Sequence, residues 1–407
     1  MELRPILSTL RRHRTAAGLI VLEVALSCAI ICNAVFLITE RVDRLNLPSG
    51  VAEQEIVDIQ VNGIGTDTNA MALTREDLAA LQAIPGVTAA ANANQVPFGN
   101  GSWNSSLTLS PEQTLPTLNA TMYMGSESLM DTLGVDLVAG RGFTADEYID
   151  LDPQVGFGGI SIHSAIITRA MAEKMYPGKE AVGQVFYFGD AEPIRVVGVV
   201  DRLIRPFFLP EDRRGEWSML LPIRVPYTGG GHYLLRTAPG ERERVMEAAV
   251  AALERNSPNR IIEEQQTLES MRAEFFRQDR SMVWLLSAVC IALLIVTALG
   301  IVGLASFWVA QRTKQIGVRR ALGATRGQIL RYFQTENFLL ATLGIVIGMA
   351  LAYGINLALM ERYELARLPA IYLPVGAVAL WLLGQIAVFG PARRAAAVPP
   401  AVATRSV

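Results

Sequence analysis

Residues 310–334 lie between two long apolar runs and read AQRTKQIGVRRALGATRGQILRYFQ. The stretch contains six basic residues and no acidic residue: Arg312, Lys314, Arg319, Arg320, Arg326 and Arg331. Short loops between membrane spans that are rich in Lys and Arg stay in the cytoplasm. The stretch therefore predicts a cytoplasmic loop that joins two transmembrane helices, and it orients the segments on either side.

Apolar and basic positions recur at helical spacing within this loop. Ile316 and the i, i+4 pair of Val318 and Leu322 predict a short amphipathic helix from Gln315 to Leu322 that ends at Gly323. Such a helix is a docking surface for a cytoplasmic partner. The alternative is a charged tether that only orients the spans, and the charge of the loop does not separate the two.

Composition indicates that part of the chain lies in lipid. Of 407 residues, 51% are hydrophobic, and the acidic residues lie mostly between Glu40 and Asp279 while the ends and the central loop are basic. This distribution argues against nucleic acid as a partner. The three cysteines, Cys28, Cys32 and Cys290, all lie in apolar runs, so we expect buried packing there and neither a disulfide nor a metal site.

These patterns predict an α-helical membrane protein with four transmembrane helices and a large α+β extracytoplasmic domain between the first and the second. Glu23 interrupts the first apolar run and should face other helices or the headgroup region, because a carboxylate is costly among lipid tails. The predicted segments are a basic cytoplasmic N-terminus (1–14), transmembrane helix 1 (15–39), a periplasmic domain (40–280), transmembrane helix 2 (281–310), a cytoplasmic coupling loop (311–334), transmembrane helix 3 (335–360), a periplasmic hairpin (361–373), transmembrane helix 4 (374–392) and a cytoplasmic tail (393–407).

The predicted extracytoplasmic domain interleaves strands and helices. A capping box at Thr74–Asp77 predicts a helix up to Ile84, and apolar spacing predicts another over Glu241–Asn256. From Thr267 a helical pattern enters the second span without Gly or Pro, which predicts one long helix, and the charged residues are expected on the solvated surface. Strands are predicted at 56–61, 105–109, 118–124, 164–167, 195–200 and 233–236.

The third span carries Gly344 and Gly348 in a GxxxG pattern, which predicts close packing against another helix of the same chain or of a second subunit. Chemistry is sparse elsewhere. The histidines His163 and His232 lie near no nucleophile-elbow pattern, and no phosphate-binding P-loop occurs. We therefore predict no catalytic, cofactor-binding or metal-binding residue, and a membrane-anchored enzyme is disfavoured.

Several motifs resemble one family. The sequence from Arg312 to Ala324 (RTKQIGVRRALGA), followed by an apolar span after Glu336, resembles the signature of FtsX-like, MacB-type permeases of ABC transporters. The stretches 129–143, 176–184 and 196–200 look like the MacB periplasmic core domain, and 391–394 with 400–405 are similar to the C-terminal tail of the family. Gln315 is a departure, because the family usually has Glu before Ile-Gly.

The resemblance implies a location in the bacterial inner membrane and a mechanism. It implies a permease that acts as a dimer with a second copy or a paralogue. Full MacB carries its ATPase in the same polypeptide, whereas this chain resembles the split arrangement, in which the ABC ATPase is a separate subunit. Closure of the ATPases would push on the coupling residues, and the long second helix would transmit the motion to the periplasm. The coupling residues are Gln315, Ile316, Gly317, Val318, Arg319, Arg320, Leu322, Gly323 and Ala324.

The implied activity is efflux or extraction of a peptide, antibiotic or lipid-linked substrate, with a membrane-fusion adaptor protein and an outer-membrane duct as further candidate partners. The alternative is a non-transporting FtsX-like regulator that activates a periplasmic partner such as a cell-wall hydrolase. The large periplasmic region favours the transporter, because relatives of the division type have a smaller extracytoplasmic domain.

Overall fold

The structure, a computed structural model, describes residues 14–64, 69–152, 155–156, 160–188, 192–209, 212, 214–229, 231–363 and 367–397. The basic N-terminal residues Arg4, Arg11 and Arg12 and the tail residues 400–405 lie outside the described residues. The chain forms two units, a membrane unit (1–45 and 278–407) and a periplasmic-type unit (46–277).

The described α-helices are α1 (Arg14–Leu45), α2 (Ala70–Gln82), α3 (Leu129–Leu133), α4 (Arg169–Met175), α5 (Arg242–Asn256), α6 (Leu268–Phe275), α7 (Arg277–Gln311), α8 (Thr313–Ala321), α9 (Arg326–Tyr363) and α10 (Tyr372–Ala397). The described strands are β1 (Ile56–Gly63), β2 (Val87–Ala93), β3 (Asn104–Leu107), β4 (Leu118–Met124), β5 (Leu137–Gly140), β6 (Ile149–Asp150), β7 (Ser164–Thr168), β8 (Val185–Phe186), β9 (Ile194–Val200), β10 (Ser218–Leu221), β11 (Ile223–Arg224), β12 (His232–Thr237) and β13 (Arg260–Thr267).

Four helices of the membrane unit, α1, α7, α9 and α10, are long and apolar enough to cross a bilayer. With the α+β unit inserted between α1 and α7, the predicted fold class is confirmed. The helices extend beyond the predicted spans, because polar residues at the two ends continue the helical hydrogen bonding past the apolar core. The largest difference is at α9, which begins at Arg326 and not near residue 335.

Helix α1 packs against α9 and α10 through a stripe with a spacing of four residues. Its members, Ile20, Val24, Cys28, Cys32 and Phe36, are each at most 4% exposed. Four-residue spacing keeps side chains on one helix face. In contrast, about half of the apolar side chains of α7 are exposed, as expected for a helix with a surface that faces lipid.

Two polar side chains of α1 contact α7. Ser27 and Thr297 share a hydrogen bond of 2.8 Å between their hydroxyl groups. One turn away, the carboxylate of Glu23 lies so close to Gly300 that a β-carbon there would overlap it. Glu23 therefore faces a neighbouring helix.

The periplasmic-type unit contains a four-stranded antiparallel sheet in the order β13-β1-β12-β2. One face of it carries Val57, Ile59, Tyr233 and Leu235, which form a core with α2 and α5. A mixed sheet in the order β3-β4-β10-β7-β9-β5, with β8 paired to β9, forms a second core with α4. Strands β6 and β11 pair in parallel as a separate ribbon.

Three local expectations were wrong. Helix α2 begins at Ala70, so Thr74 is an interior residue whose hydroxyl donates to the Ala70 carbonyl and does not open a capping box. The predicted long helix is interrupted at Phe276, whose ring is buried against Phe98, Phe208 and Phe275. The aromatic cluster holds this residue outside the helix, although no Gly or Pro marks the break.

The third wrong expectation concerned charge in this unit. Asp77 and Arg260 are at most 8% exposed and form a buried ion pair, with further hydrogen bonds from Tyr233 and Asn256 to Asp77. Arg205 is fully buried and contacts Asp212. Buried charges are tolerated when they are paired and hydrogen-bonded, so charge alone did not place these residues on the surface.

Candidate coupling site

The basic loop folds into a compact corner between α7 and α9. Helix α7 ends at Gln311, Arg312 leaves the helical conformation, and α8 occupies Thr313–Ala321. The predicted helix over Gln315–Leu322 is thus present but lies about two residues earlier at its start, a shift that is common at helix ends.

The C-terminus of α8 closes on Gly323. The Ala324 amide donates to the Arg319 carbonyl at 3.0 Å, and the Gly323 amide donates to the Arg320 carbonyl at 3.1 Å. These two bonds are the Schellman pattern, which requires a left-handed residue at the glycine position. Gly323 has φ +95°. The corner therefore depends on a residue without a β-carbon at this point.

The next helix is capped two residues later. The Thr325 amide donates to the Gln328 side chain at 2.9 Å, and the Gln328 amide donates to the Thr325 hydroxyl at 3.3 Å. This reciprocal pair is a capping box. This capping box was not predicted from the sequence, although the T-x-x-Q pattern from Thr325 to Gln328 indicates one. Both ends of the corner are consequently determined by local hydrogen bonds.

The inner face of α8 is buried in its own chain. Ile316 is 5% exposed and belongs to a cluster with Ile329, Phe333 and three alanines of α10, Ala392, Ala395 and Ala396. Gly317 is also buried. Ile316 stays a predicted coupling residue, and within this chain its side chain packs α8 against α9 and α10.

The outer face of α8 is exposed. Val318 is 46% exposed and Leu322 is 84% exposed, and Gln315 lies on the surface with them. The guanidinium of Arg319 lies 5.0 Å from the ring centre of Tyr332, which fixes its position on the corner. Arg320 and Ala324 are half-buried, whereas Gly323 is exposed. Of the nine predicted residues, two are buried, two are half-buried and five are exposed. The exposed residues are Gln315, Val318, Arg319, Leu322 and Gly323.

A buried ion pair joins the corner to α9. The guanidinium of Arg312 donates to both carboxylate oxygens of Glu336, at 2.9 and 3.1 Å. It also lies 5.5 Å from the ring centre of Trp308. Sequence analysis counted Arg312 only as a positive charge of the loop. Its partner could not be inferred because the two residues are 24 positions apart.

The GxxxG face of α9 lies against α1 of the same chain. A β-carbon at Gly344 would meet Val24 at 2.8 Å, and one at Gly348 would meet Cys28 at 2.5 Å. Asn33 adds a hydrogen bond of 3.1 Å from its side-chain amide to the Ala352 carbonyl. Close helix approach at small residues is the usual basis of such packing.

Two family profiles match the chain. The MacB-like periplasmic core domain matches residues 25–255, and the FtsX-like permease C-terminal domain matches residues 287–400. The first of these covers more than half of the chain.

Curated relatives are named macrolide export ATP-binding/permease protein MacB. That of Chromobacterium violaceum is 26% identical over 301 residues, which are 70% of this chain and 43% of the relative. That of a Shewanella species is 28% identical over 252 residues, 58% of this chain and 37% of the relative. This chain therefore spans less than half the length of these relatives.

Among solved structures, the periplasmic region of MacB from Actinobacillus actinomycetemcomitans is 14% identical, with a TM-score of 0.34, and the match covers 57% of this chain and 97% of that one. The family profiles and the four apolar helices together make this a multi-pass membrane protein with a large periplasmic domain. The chain belongs to the family of permeases of ABC transporters that combine a MacB-like periplasmic core domain with an FtsX-like permease domain.

Proposed function

We propose that this chain is a permease subunit that couples ATP hydrolysis by a separate ABC ATPase to a conformational change of its periplasmic domain. The observation that carries the proposal is the two-sided character of α8. Its inner face is anchored by Ile316, while Val318 and Leu322 are exposed in a loop that the charge distribution assigns to the cytoplasm. The exposed side chains of Val318 and Leu322, on a helix that is anchored by its other face, are suited to packing into a groove of a partner protein.

No phosphate-binding loop motif occurs in these 407 residues, so ATP hydrolysis is proposed to take place on an ABC ATPase outside them. A force applied to α8 would reach α7 and α9 through the Arg312–Glu336 pair and the two caps. Helix α7 then continues the path outward as far as its first residue, Arg277.

The substrate class is proposed from the relatives. The name of these relatives describes macrolide export, which supports efflux of an antibiotic by this chain. A peptide or a lipid-linked compound belongs to the same proposed substrate class. A second permease copy or paralogue would complete the dimer, and an adaptor with an outer-membrane duct would extend the route.

The test is stimulated ATP hydrolysis by the reconstituted complex in nanodiscs. Val318→Asp and Leu322→Asp should abolish stimulation by the permease while thermal unfolding of the purified chain stays unchanged, because both side chains are exposed. Leu115→Asp is the matched control, since Leu115 is a 77% exposed leucine of the periplasmic unit.

Normal stimulation by both α8 variants would contradict the coupling role and leave the loop as a tether. Normal ATPase stimulation and normal activation of a periplasmic enzyme, without substrate movement, would favour the non-transporting regulator.

A further inference from the structure

The four-stranded sheet has one apolar face and a second, more polar face. Asp58 and Gln60 of β1 lie on the side opposite to Val57 and Ile59, because successive side chains of a strand alternate. Gln60 pairs in register with His232 of β12 and with Glu264 of β13. The second face also carries the buried Ile56 and Leu234, and its ionisable and amide side chains gather around Gln60 and His232.

A cavity of about 460 Å³ opens on this polar face. Phe98, Met271 and Phe275 form its apolar wall, and Glu264 and Glu274 supply two carboxylates. Neither Lys nor Arg occurs among the described lining residues. Glu274 pairs with Arg277 at the exposed surface, and Glu264 accepts a hydrogen bond from Gln266. The electrostatics of the cavity favour a positively charged ligand.

His232 lines the cavity, and its ring is held in place by Asp58. It is 9% exposed, and its Nδ1 lies 3.0 and 3.1 Å from the two carboxylate oxygens of Asp58, which is 2% exposed. Within the described residues no hydrogen bond engages the other ring nitrogen, Nε2. With Nδ1 bonded to the Asp58 carboxylate, Nε2 is the ring nitrogen left to take up a proton.

The aromatic wall is held in a strained conformation. Phe98 has φ +65°, and it is the non-glycine residue with positive φ in the described part of the chain. Its ring contacts Phe275 and lies 5.4 Å from the guanidinium of Arg272, which is itself bonded to Glu53. Backbone strain that the surroundings maintain is typical of functional sites.

We propose that this cavity binds an organic cation, a ligand that carries a quaternary or protonated amino group on an apolar body, and that protonation of His232 promotes its release. The apolar body would lie on Phe98, Met271 and Phe275, and the positive group would face Glu264, because Glu274 already pairs with Arg277. The proposal does not depend on coupling through α8.

The charged groups around His232 determine the pH range. The acidic groups are Asp58 on β1, Glu263 and Glu264 on β13, and Glu274 on α6, which is paired with Arg277; Arg272 on α6 lies over the ring of Phe98 and is paired with Glu53, and β2 and residues 98–100 contribute no charged side chain. Burial lowers the pKa of His232, but the charge and hydrogen bond of Asp58, aided by the two glutamates of β13, more than offset it and raise the pKa above its usual value. The imidazole therefore gains its proton as pH falls through this raised pKa, and the new positive charge repels a bound cation.

The test uses the full chain in nanodiscs and calorimetric titration with benzyltrimethylammonium, whose charge does not titrate, and with benzyl alcohol as the neutral comparison. The cation should bind at pH 8 and bind about tenfold more weakly at pH 5, an effect of the order expected for two unit charges several ångströms apart. Benzyl alcohol should bind more weakly at pH 8 and show no pH dependence.

Variants separate the roles. His232→Gln should bind the cation equally at both pH values, whereas His163→Gln, which changes an exposed histidine elsewhere, should keep the pH dependence. Glu264→Gln should weaken binding at pH 8 severalfold more than Glu263→Gln, which removes the same charge from a neighbour bonded by Asn62 outside the cavity. This second pair decides the outcome if His232→Gln does not fold.

The proposal is overturned if wild type fails to bind the cation at pH 8, if benzyl alcohol binds equally well, or if Glu264→Gln and Glu263→Gln have equal effects. A folded His232→Gln chain that retains the pH dependence would overturn the role of the histidine.

Discussion

The Nη1 nitrogen of Arg312 donates to both carboxylate oxygens of Glu336 inside the membrane unit, and Glu336 is only 1% exposed. The guanidinium lies between this carboxylate and the ring of Trp308. Arg312 is also the residue at which α7 ends, and Thr313 begins α8. The junction between α7 and α8 is therefore held to α9 by an ion pair.

Removing one partner of this pair should destabilise the protein strongly. Arg312→Met leaves the Glu336 carboxylate buried and unpaired, which typically costs about 3 to 5 kcal/mol. Thermal unfolding of the purified chain measures the loss. The double variant Arg312→Met/Glu336→Leu should recover much of the stability, because it removes both charges together.

Arg169→Met is the matched control for this experiment. Its partner Asp201 is half exposed, and exposed pairs contribute only about 0 to 1 kcal/mol. A loss equal to that of Arg312→Met would show that the effect is not specific to the buried pair.

Gly323→Ala should loosen the corner between α8 and α9. A residue with a β-carbon in the left-handed conformation costs about 1 to 2 kcal/mol, and Gly323 has φ +95°. Faster hydrogen exchange in the peptide around Ala321–Ala324 is the expected result. Gly327→Ala, four residues away in the first turn of α9, has free space at its β-carbon and should not speed exchange, because alanine favours a helix over glycine.

Gly348→Leu should separate α1 from α9. Its side chain would collide with Cys28 and with the Ala25 carbonyl, which lie 2.5 and 2.6 Å from the position of the added β-carbon. Overpacking of this kind usually costs about 1 to 3 kcal/mol. Gly354→Leu on the same helix is the control, because nothing lies within 4 Å of its β-carbon position. Equal melting temperatures for the two variants would contradict the packing.

Acid should remove a stabilising contribution of Glu147. The hydrogen bond from Arg141 lowers the pKa of Glu147 to about 2, aided by the amide and hydroxyl of Thr144. A folded-state pKa below the unfolded value means that the contribution is present at neutral pH and is lost as pH falls from the unfolded pKa toward 2.

Glu147→Gln should therefore lower the melting temperature of the chain at pH 7, and the gap to wild type should narrow at pH 3. Glu112→Gln, a change at an exposed glutamate, should give no such narrowing. A constant gap across this range would contradict the assignment.

The sequence by itself determined the four membrane helices and part of the secondary structure, whereas seven of the thirteen described strands were not predicted from it. Apolar runs of membrane length and the basic residues around Arg319 are properties of consecutive residues, so they are legible without a fold. The six predicted strands correspond to β1, β3, β4, β7, β9 and β12, because alternation and turn residues also act locally. The end of α8 at Gly323 was predictable for the same reason.

Only the tertiary structure decided which side of each element is occupied and by what. Ile316 and Val318 have the same apolar character in sequence, yet one is buried by α9 and α10 and the other is exposed. Likewise, Asp58 meets His232 across 174 positions of the chain. Such contacts form where the surfaces of two distant segments bury each other from water. The hydrophobic periodicity of one segment shows which of its faces is apolar, but it does not show which other segment packs on that face.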